Sequence, residues 1–166
     1  MMEIDIRYFR LINDQAGSSP VFDQAILFGN KYSIIFFSAI ILFYLFRKRR
    51  IFWTAILSAG LSRGILTEAI AYLYQRPRPF EELQNVTLLL DGSNLHSSFP
   101  SGHASFLFAV AFSVFLHQRS TGIALILLAL AVSAGRIYLG VHYPSDILGG
   151  IILAAISVWV VRSFRR

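Results

Sequence analysis

Apolar residues in this chain come in runs, and the runs are long enough to leave few folds open. Tyr32 to Phe46 is nearly unbroken, preceded by a stretch from Val21 that Asp23, Gly29, Asn30 and Lys31 interrupt. Ile51 to Tyr74, His103 to Leu116, Thr121 to Leu139 and Ile147 to Val161 follow. A helix needs ~20 residues to cross a bilayer. Several runs are shorter, so flanking residues such as Ser101, Ser145 and Asp146 are expected to extend them. Inside hydrocarbon the backbone must satisfy its own hydrogen bonds, which favours helices over loops or open strands. Composition agrees, with 55% hydrophobic and 14% charged residues against roughly 25% charged in a soluble domain. The expected architecture is an all-α integral membrane bundle of about five transmembrane helices, forming a single domain over residues 1–166.

Residues 1–19 read differently. Ile4, Ile6, Tyr8, Phe9, Leu11 and Ile12 intermix with Asp5, Arg7 and Arg10, which predicts an amphipathic helix in the membrane interface. Gly17-Ser18-Ser19-Pro20 ends it. A polar loop over residues 80–98 separates the second and third runs. In the second run Ser58, Ala59, Gly60, Ser62 and Gly64 put small residues at four-residue spacing, a pattern that lets helices approach closely. Arg63 and Glu68 sit in the same run. Ionisable residues at such depth point to a functional lining or a pair, but five residues is poor α-helical spacing for a pair.

The net charge is +6, and its placement matters more than its size. Arg47-Lys48-Arg49-Arg50 follows the first run, Arg119 the third, and Arg162, Arg165 and Arg166 the fifth, with no carboxylate in these places. The positive-inside rule assigns all three to the cytoplasm, the C-terminus included. The bias is one of orientation and implies no nucleic-acid partner. A multi-pass protein of the cytoplasmic membrane is expected, with the N-terminus, residues 76–100 and residues 136–146 together on the outer face. The absence of cysteine excludes disulfides and thiolate chemistry. The Met1-Met2-Glu3-Ile4-Asp5 start lacks the basic stretch of a cleaved signal.

Five polar islands fall on that outer side: Arg76-Pro77-Arg78-Pro79, Pro100-Ser101-Gly102-His103, Arg136, His142 and Asp146. Ser101 is a good helix N-cap. The free N–H groups after it, with Gly102 allowing close approach, make an anion site. His103 stands beside it as donor or general acid. In Arg136-Ile137-Tyr138-Leu139-Gly140-Val141-His142-Tyr143-Pro144-Ser145-Asp146, a turn can bring Asp146 onto one ring nitrogen of His142. The other nitrogen is then free to attack phosphorus. Arg78 and Arg136 form a clamp suited to phosphate oxygens. Arg76 either joins them or meets lipid headgroups. Glu81 and Glu82 read as solvated charges.

The order Arg-Pro, Pro-Ser-Gly-His, then Arg-x5-His-x3-Asp resembles the type-2 phosphatidic-acid phosphatase superfamily over about residues 60–155, and within it the bacitracin-resistance type of undecaprenyl-diphosphate phosphatase. The resemblance implies a lipid phosphatase with His142 as nucleophile, Asp146 as its orienting partner and His103 as the acid for the leaving group. Arg78, Ser101, Gly102 and Arg136 would bind phosphate, with Arg76 as a further contact. It implies no metal and no cofactor. It points to undecaprenyl diphosphate as the expected substrate, with lipid A 1-phosphatase or phosphatidylglycerolphosphate phosphatase activity as alternatives. A lipid-phosphate binding or flipping protein is the non-enzymatic alternative. Two positions depart from the family pattern. Ala71 stands where a lysine is expected, with Arg76 a better substitute than Arg63, and Gly135 stands where a serine precedes the arginine.

Overall fold

The structure, a computed structural model, describes residues 2–90 and 97–164. The expected outer loop is therefore described except for residues 91–96, and Arg165 and Arg166 of the C-terminal basic group lie outside the described residues. The described elements are helical: α1 (Met2–Asn13), α2 (Pro20–Arg47), α3 (Arg49–Ala59), a π-helical segment (Gly60–Thr67), α4 (Glu68–Leu73), the short α5 (Pro79–Glu82), α6 (Gly102–Phe115), α7 (Arg119–Tyr138) and α8 (Pro144–Phe164).

α2, the continuous Arg49–Leu73 unit, α7 and α8 are each long and apolar enough to cross a membrane, and α6 is a shorter apolar helix of 14 residues. The all-α membrane bundle expected from the apolar runs is the observed fold. Pro20 starts α2 without needing an N–H partner, and the helix then runs through Asp23, Gly29, Asn30 and Lys31 without a break. Only Lys48 separates α2 from α3, so the two runs fold back directly.

α6 is the centre of the bundle. It packs against α2, α3, the π-helical segment, α7 and α8. Ala104, Leu107, Ala109, Val110, Ala111 and Val114 are fully enclosed. Its contact with α8 is close because Gly150 has no side chain: a Cβ there would lie 2.7 Å from the Ser101 carbonyl oxygen. The outer helices instead expose Phe36, Phe43, Leu127, Ile152 and Trp159, as a lipid-facing surface requires.

Two expectations for the second run need correction. Ser58, Ala59 and Ser62 are buried and pack inward, but a Cβ on Gly60 or Gly64 would meet nothing within 4 Å. Those glycines face outward. Arg63 and Glu68 do form a direct ion pair. The reason is the π-helical segment, in which hydrogen bonds run i to i+5 and residues five apart stack along the axis. α-Helical spacing was the wrong ruler there.

α1 is amphipathic, with a polar twist. Ile4, Tyr8 and Leu11 face outward, while Asp5, Phe9 and Asn13 are buried against the bundle. Asn13 donates to the carbonyls of Thr87 and Tyr138 at 2.8 and 2.9 Å and accepts from Thr87 N–H at 3.1 Å. Arg10 bonds the Gln84 and Asn85 carbonyls. These bonds tie α1 to the outer loop and to the end of α7.

Candidate active site

Chain direction brings the polar islands to one end of the bundle. The end of α4 leads into Arg76 and Arg78, α6 starts at Gly102, α7 ends after Arg136, and α8 starts just before Asp146. A cavity of about 240 Å3 there is lined by Arg78, His103, Arg136 and His142, together with Gly102, Arg63, Thr67 and Glu68.

His142 lies in the α7–α8 connection, where Gly140 takes a φ of +83° that suits glycine. Its Nδ1 is 2.9 Å from the Ser98 carbonyl oxygen and 3.5 Å from Asp146 Oδ2. A carbonyl only accepts, so Nδ1 carries the hydrogen and Nε2 keeps its lone pair. That lone pair stands 3.4 Å from Arg78 Nη1, on the cavity wall. Burial pushes the His142 pKa down to about 4. The nearby Asp146 carboxylate works against that shift, and the Arg136 and Arg78 charges add to it. The ring is therefore neutral near pH 7, the form a nucleophile needs.

Asp146 is fully buried and saturated with donors. Its Oδ2 accepts from Ser98 Oγ at 2.5 Å and from Tyr143 N–H at 2.7 Å, and its Oδ1 accepts from Arg76 at 2.7 Å. It therefore fixes the turn that carries His142, and shares the orienting of the ring with the Ser98 carbonyl. Ser98 had no signal in the sequence beyond its place at the end of the loop.

Arg78 and Arg136 are 5% and 4% exposed. Arg78 donates to the Val141 and Ser97 carbonyls at 2.7 and 2.8 Å, and its backbone N–H donates to Glu81. Among the described residues neither arginine has a carboxylate within 4.0 Å, and the Nε of each lacks a partner. Two buried cations beside two histidines, with no direct carboxylate partner among the described residues, are costly unless an anion joins them. Ser101 is fully buried and caps α6, its Oγ 3.5 Å from Ala104 N. The first turn of α6 thus opens beside His103.

Arg76, expected at the phosphate or the lipid headgroups, is engaged by carboxylates at the start of α8 and in α1. Its guanidinium bridges Asp5 Oδ2 and Asp146 Oδ1, each at 2.7 Å, bonds Ser145 Oγ at 2.6 Å, and lies 4.2 Å over the Tyr143 ring. Burial opposes its charge, but Asp5 and Asp146 outweigh that and hold its pKa above the usual arginine value. Asp5 also accepts from Ser145 N–H at 2.9 Å and from the Ser145 hydroxyl. An N-terminal carboxylate thus reaches the start of α8. It looked like part of a wet helix face, and only its packing reveals it. Glu82 is likewise engaged, accepting from Tyr143 Oη at 3.0 Å. Gly135 faces α2: a Cβ there would lie 2.4 Å from Asn30 Nδ2, so its role is close helix packing.

The chain matches the PAP2 superfamily model over residues 52–166. It is 32% identical over 162 residues to the bacitracin transport permease protein BcrC of Bacillus licheniformis, covering 96% of this chain and 79% of that one. It is 28% identical over 153 residues to undecaprenyl-diphosphatase BcrC of Bacillus subtilis, covering 89% and 77%. The crystal structure of Aquifex aeolicus LpxE superposes with a TM-score of 0.84 at 25% identity, over 96% of this chain and 95% of that one. With its membrane-length helices and a matched region holding every polar island, this chain belongs to the PAP2 superfamily and is a membrane lipid phosphatase.

Proposed function

We propose that the protein converts undecaprenyl diphosphate to undecaprenyl phosphate at the outer face of the cytoplasmic membrane. The observation that carries the chemistry is the pair of buried arginines, without a direct carboxylate partner among the described residues, that share a cavity with His142. The substrate rests on the likeness to an undecaprenyl-diphosphatase over most of the chain. The His142 Nε2 attacks the terminal phosphorus, and the bond to the bridging oxygen breaks with its electron pair on that oxygen. His103 supplies a proton to the leaving oxygen where one is needed. Water then attacks the phosphorus and gives a proton to His103, while the P–N bond breaks with its electron pair returning to Nε2 and phosphate leaves. Arg78, Arg136 and the Ser101–Gly102 helix start hold the transferring oxygens, whose charge grows in the transition state. The likeness to membrane relatives and the clustering of basic residues at the opposite end support the sidedness.

The test is phosphate release by the purified protein in detergent with EDTA, on parallel substrates: undecaprenyl diphosphate, lipid A and phosphatidylglycerolphosphate. The diphosphate is expected to be turned over fastest, and His142→Ala is expected to abolish release. Full activity in that variant refutes the covalent mechanism, and preference for either other lipid refutes the substrate.

A further inference from the structure

Arg63 and Glu68 are charged residues of the cavity wall that this catalytic scheme leaves unused. Both line the same cavity as His103, His142, Arg78 and Arg136. The two inner arginines are enclosed, whereas the Arg63 and Glu68 side chains are 45% and 61% exposed. The pair therefore stands at the mouth.

Two features aim Arg63 at the reacting end. Gly102 opens α6 without a side chain, and Arg63 Nε fills that space: a Cβ on Gly102 would lie 2.5 Å from it. The guanidinium stem thus crosses the first turn of α6, whose N–H groups have no helical partners. Ala71 lines the same wall with only a methyl group, which leaves room for a longer neighbour. Arg76 offers no competing cation there, being held by Asp5 and Asp146.

We propose that Arg63, restrained by Glu68, binds the phosphate that stays with the lipid when a lipid diphosphate is cleaved. This rests on the diphosphate reading above. His142 Nε2 forms a bond to the terminal phosphorus, which lies deep, between Arg78 and Arg136. The bond to the bridging oxygen breaks and its electron pair stays on that oxygen, now part of a lipid monophosphate towards the mouth. Arg63 meets the charge that this leaving group gains. A phosphate monoester instead loses an alcohol, which needs a proton and gives Arg63 no second anion. Glu68 neutralises Arg63 while the mouth is empty and yields it to the more highly charged phosphate. The pair therefore favours diphosphates over monoesters.

The test uses the full chain in detergent with two chain-matched probes, farnesyl diphosphate and farnesyl phosphate. Arg63→Ala is expected to lower kcat/KM for the diphosphate by about tenfold or more, and for the monophosphate by no more than about threefold. Arg63→Lys is expected to restore part of the loss, and Glu68→Gln to lower KM for the diphosphate. Inhibition by inorganic diphosphate should weaken in Arg63→Ala more than inhibition by orthophosphate, a readout independent of turnover. Equal losses on both probes, or no loss on either, overturn the role of Arg63 while leaving the diphosphatase reading standing. Wild-type protein that hydrolyses farnesyl phosphate but not farnesyl diphosphate overturns both.

Discussion

His142 holds its Nδ1 hydrogen towards a carbonyl and a carboxylate, and its low pKa gives a direct pH prediction. The folded site refuses a proton that the unfolded chain accepts below about 6.5, and refuses it down to about 4. Stability contributed by the neutral ring is thus complete above pH 6.5 and falls as pH drops through that window. Attack also needs the unprotonated ring, so the acid limb of kcat/KM should lie near pH 4 to 5 rather than at 6.5. A pH–rate profile of the free enzyme checks this. Asp5 and Arg76 yield a second prediction. Partners behind metal-ligating side chains typically matter by about 10–100-fold; on the same scale, Asp5→Asn should lower kcat, with Asp5→Glu partly restoring it. Arg76→Ala leaves two buried carboxylates short of a cation and should lower Tm as well as kcat, at a cost of roughly 3–5 kcal/mol. Kinetics and thermal unfolding in detergent separate the two effects. The gathering of His142, Asp146, Arg78 and Arg136 at one end of the bundle was legible because each belongs to a motif beside the end of an apolar run. Asp5 and Ser98 were not, because neither belongs to such a motif and only packing brings them to the site.

Among the elements, the π-helical segment and the α6–α8 contact decide where side chains point. Apolar runs marked α6 and the membrane-length helices to within a few residues, since burial in lipid sets both length and composition, whereas α5 lies where a loop was expected. They carried no sign of the extra backbone residue per turn between Gly60 and Thr67, and so misassigned Gly60, Gly64 and the Arg63–Glu68 pair. The α6–α8 seam yields its own prediction. A methyl at Gly150 would lie 2.7 Å from the Ser101 carbonyl and 2.8 Å from Ala104 Cβ, and the Asp146 carbonyl accepts from Ser101 N–H at 3.0 Å just above. Gly150→Ala should destabilise by roughly 1–3 kcal/mol through overpacking. It should also reduce kcat by moving the starts of α6 and α8 apart. Gly64→Ala, facing open space, is the matched control for both measurements.

At the scale of the whole molecule, the site and the basic connections occupy opposite ends. Arg47 to Arg50 join α2 to α3, Arg119 starts α7 and Arg162 lies near the end of α8, all exposed. The outer-face assignment makes a prediction that the cysteine-free sequence suits. A cysteine replacing Glu81 should react with an impermeant maleimide added to intact cells, while one replacing Lys48 should react only after the membrane is opened. The reverse pattern would overturn the sidedness. α6 also sets a depth. Its 14 residues span about 21 Å, against roughly 30 Å for the hydrocarbon layer, and it is enclosed by neighbours that do cross. His103 stands in the first turn of this short, enclosed helix, on the wall of a cavity that Ala71 of α4 and Arg136 of α7 also line. A headgroup must descend into a well, and water must follow it there. Membrane thickness then becomes a control on the reaction: a thicker bilayer deepens the well and a thinner one raises the lipid phosphate level with the nucleophile.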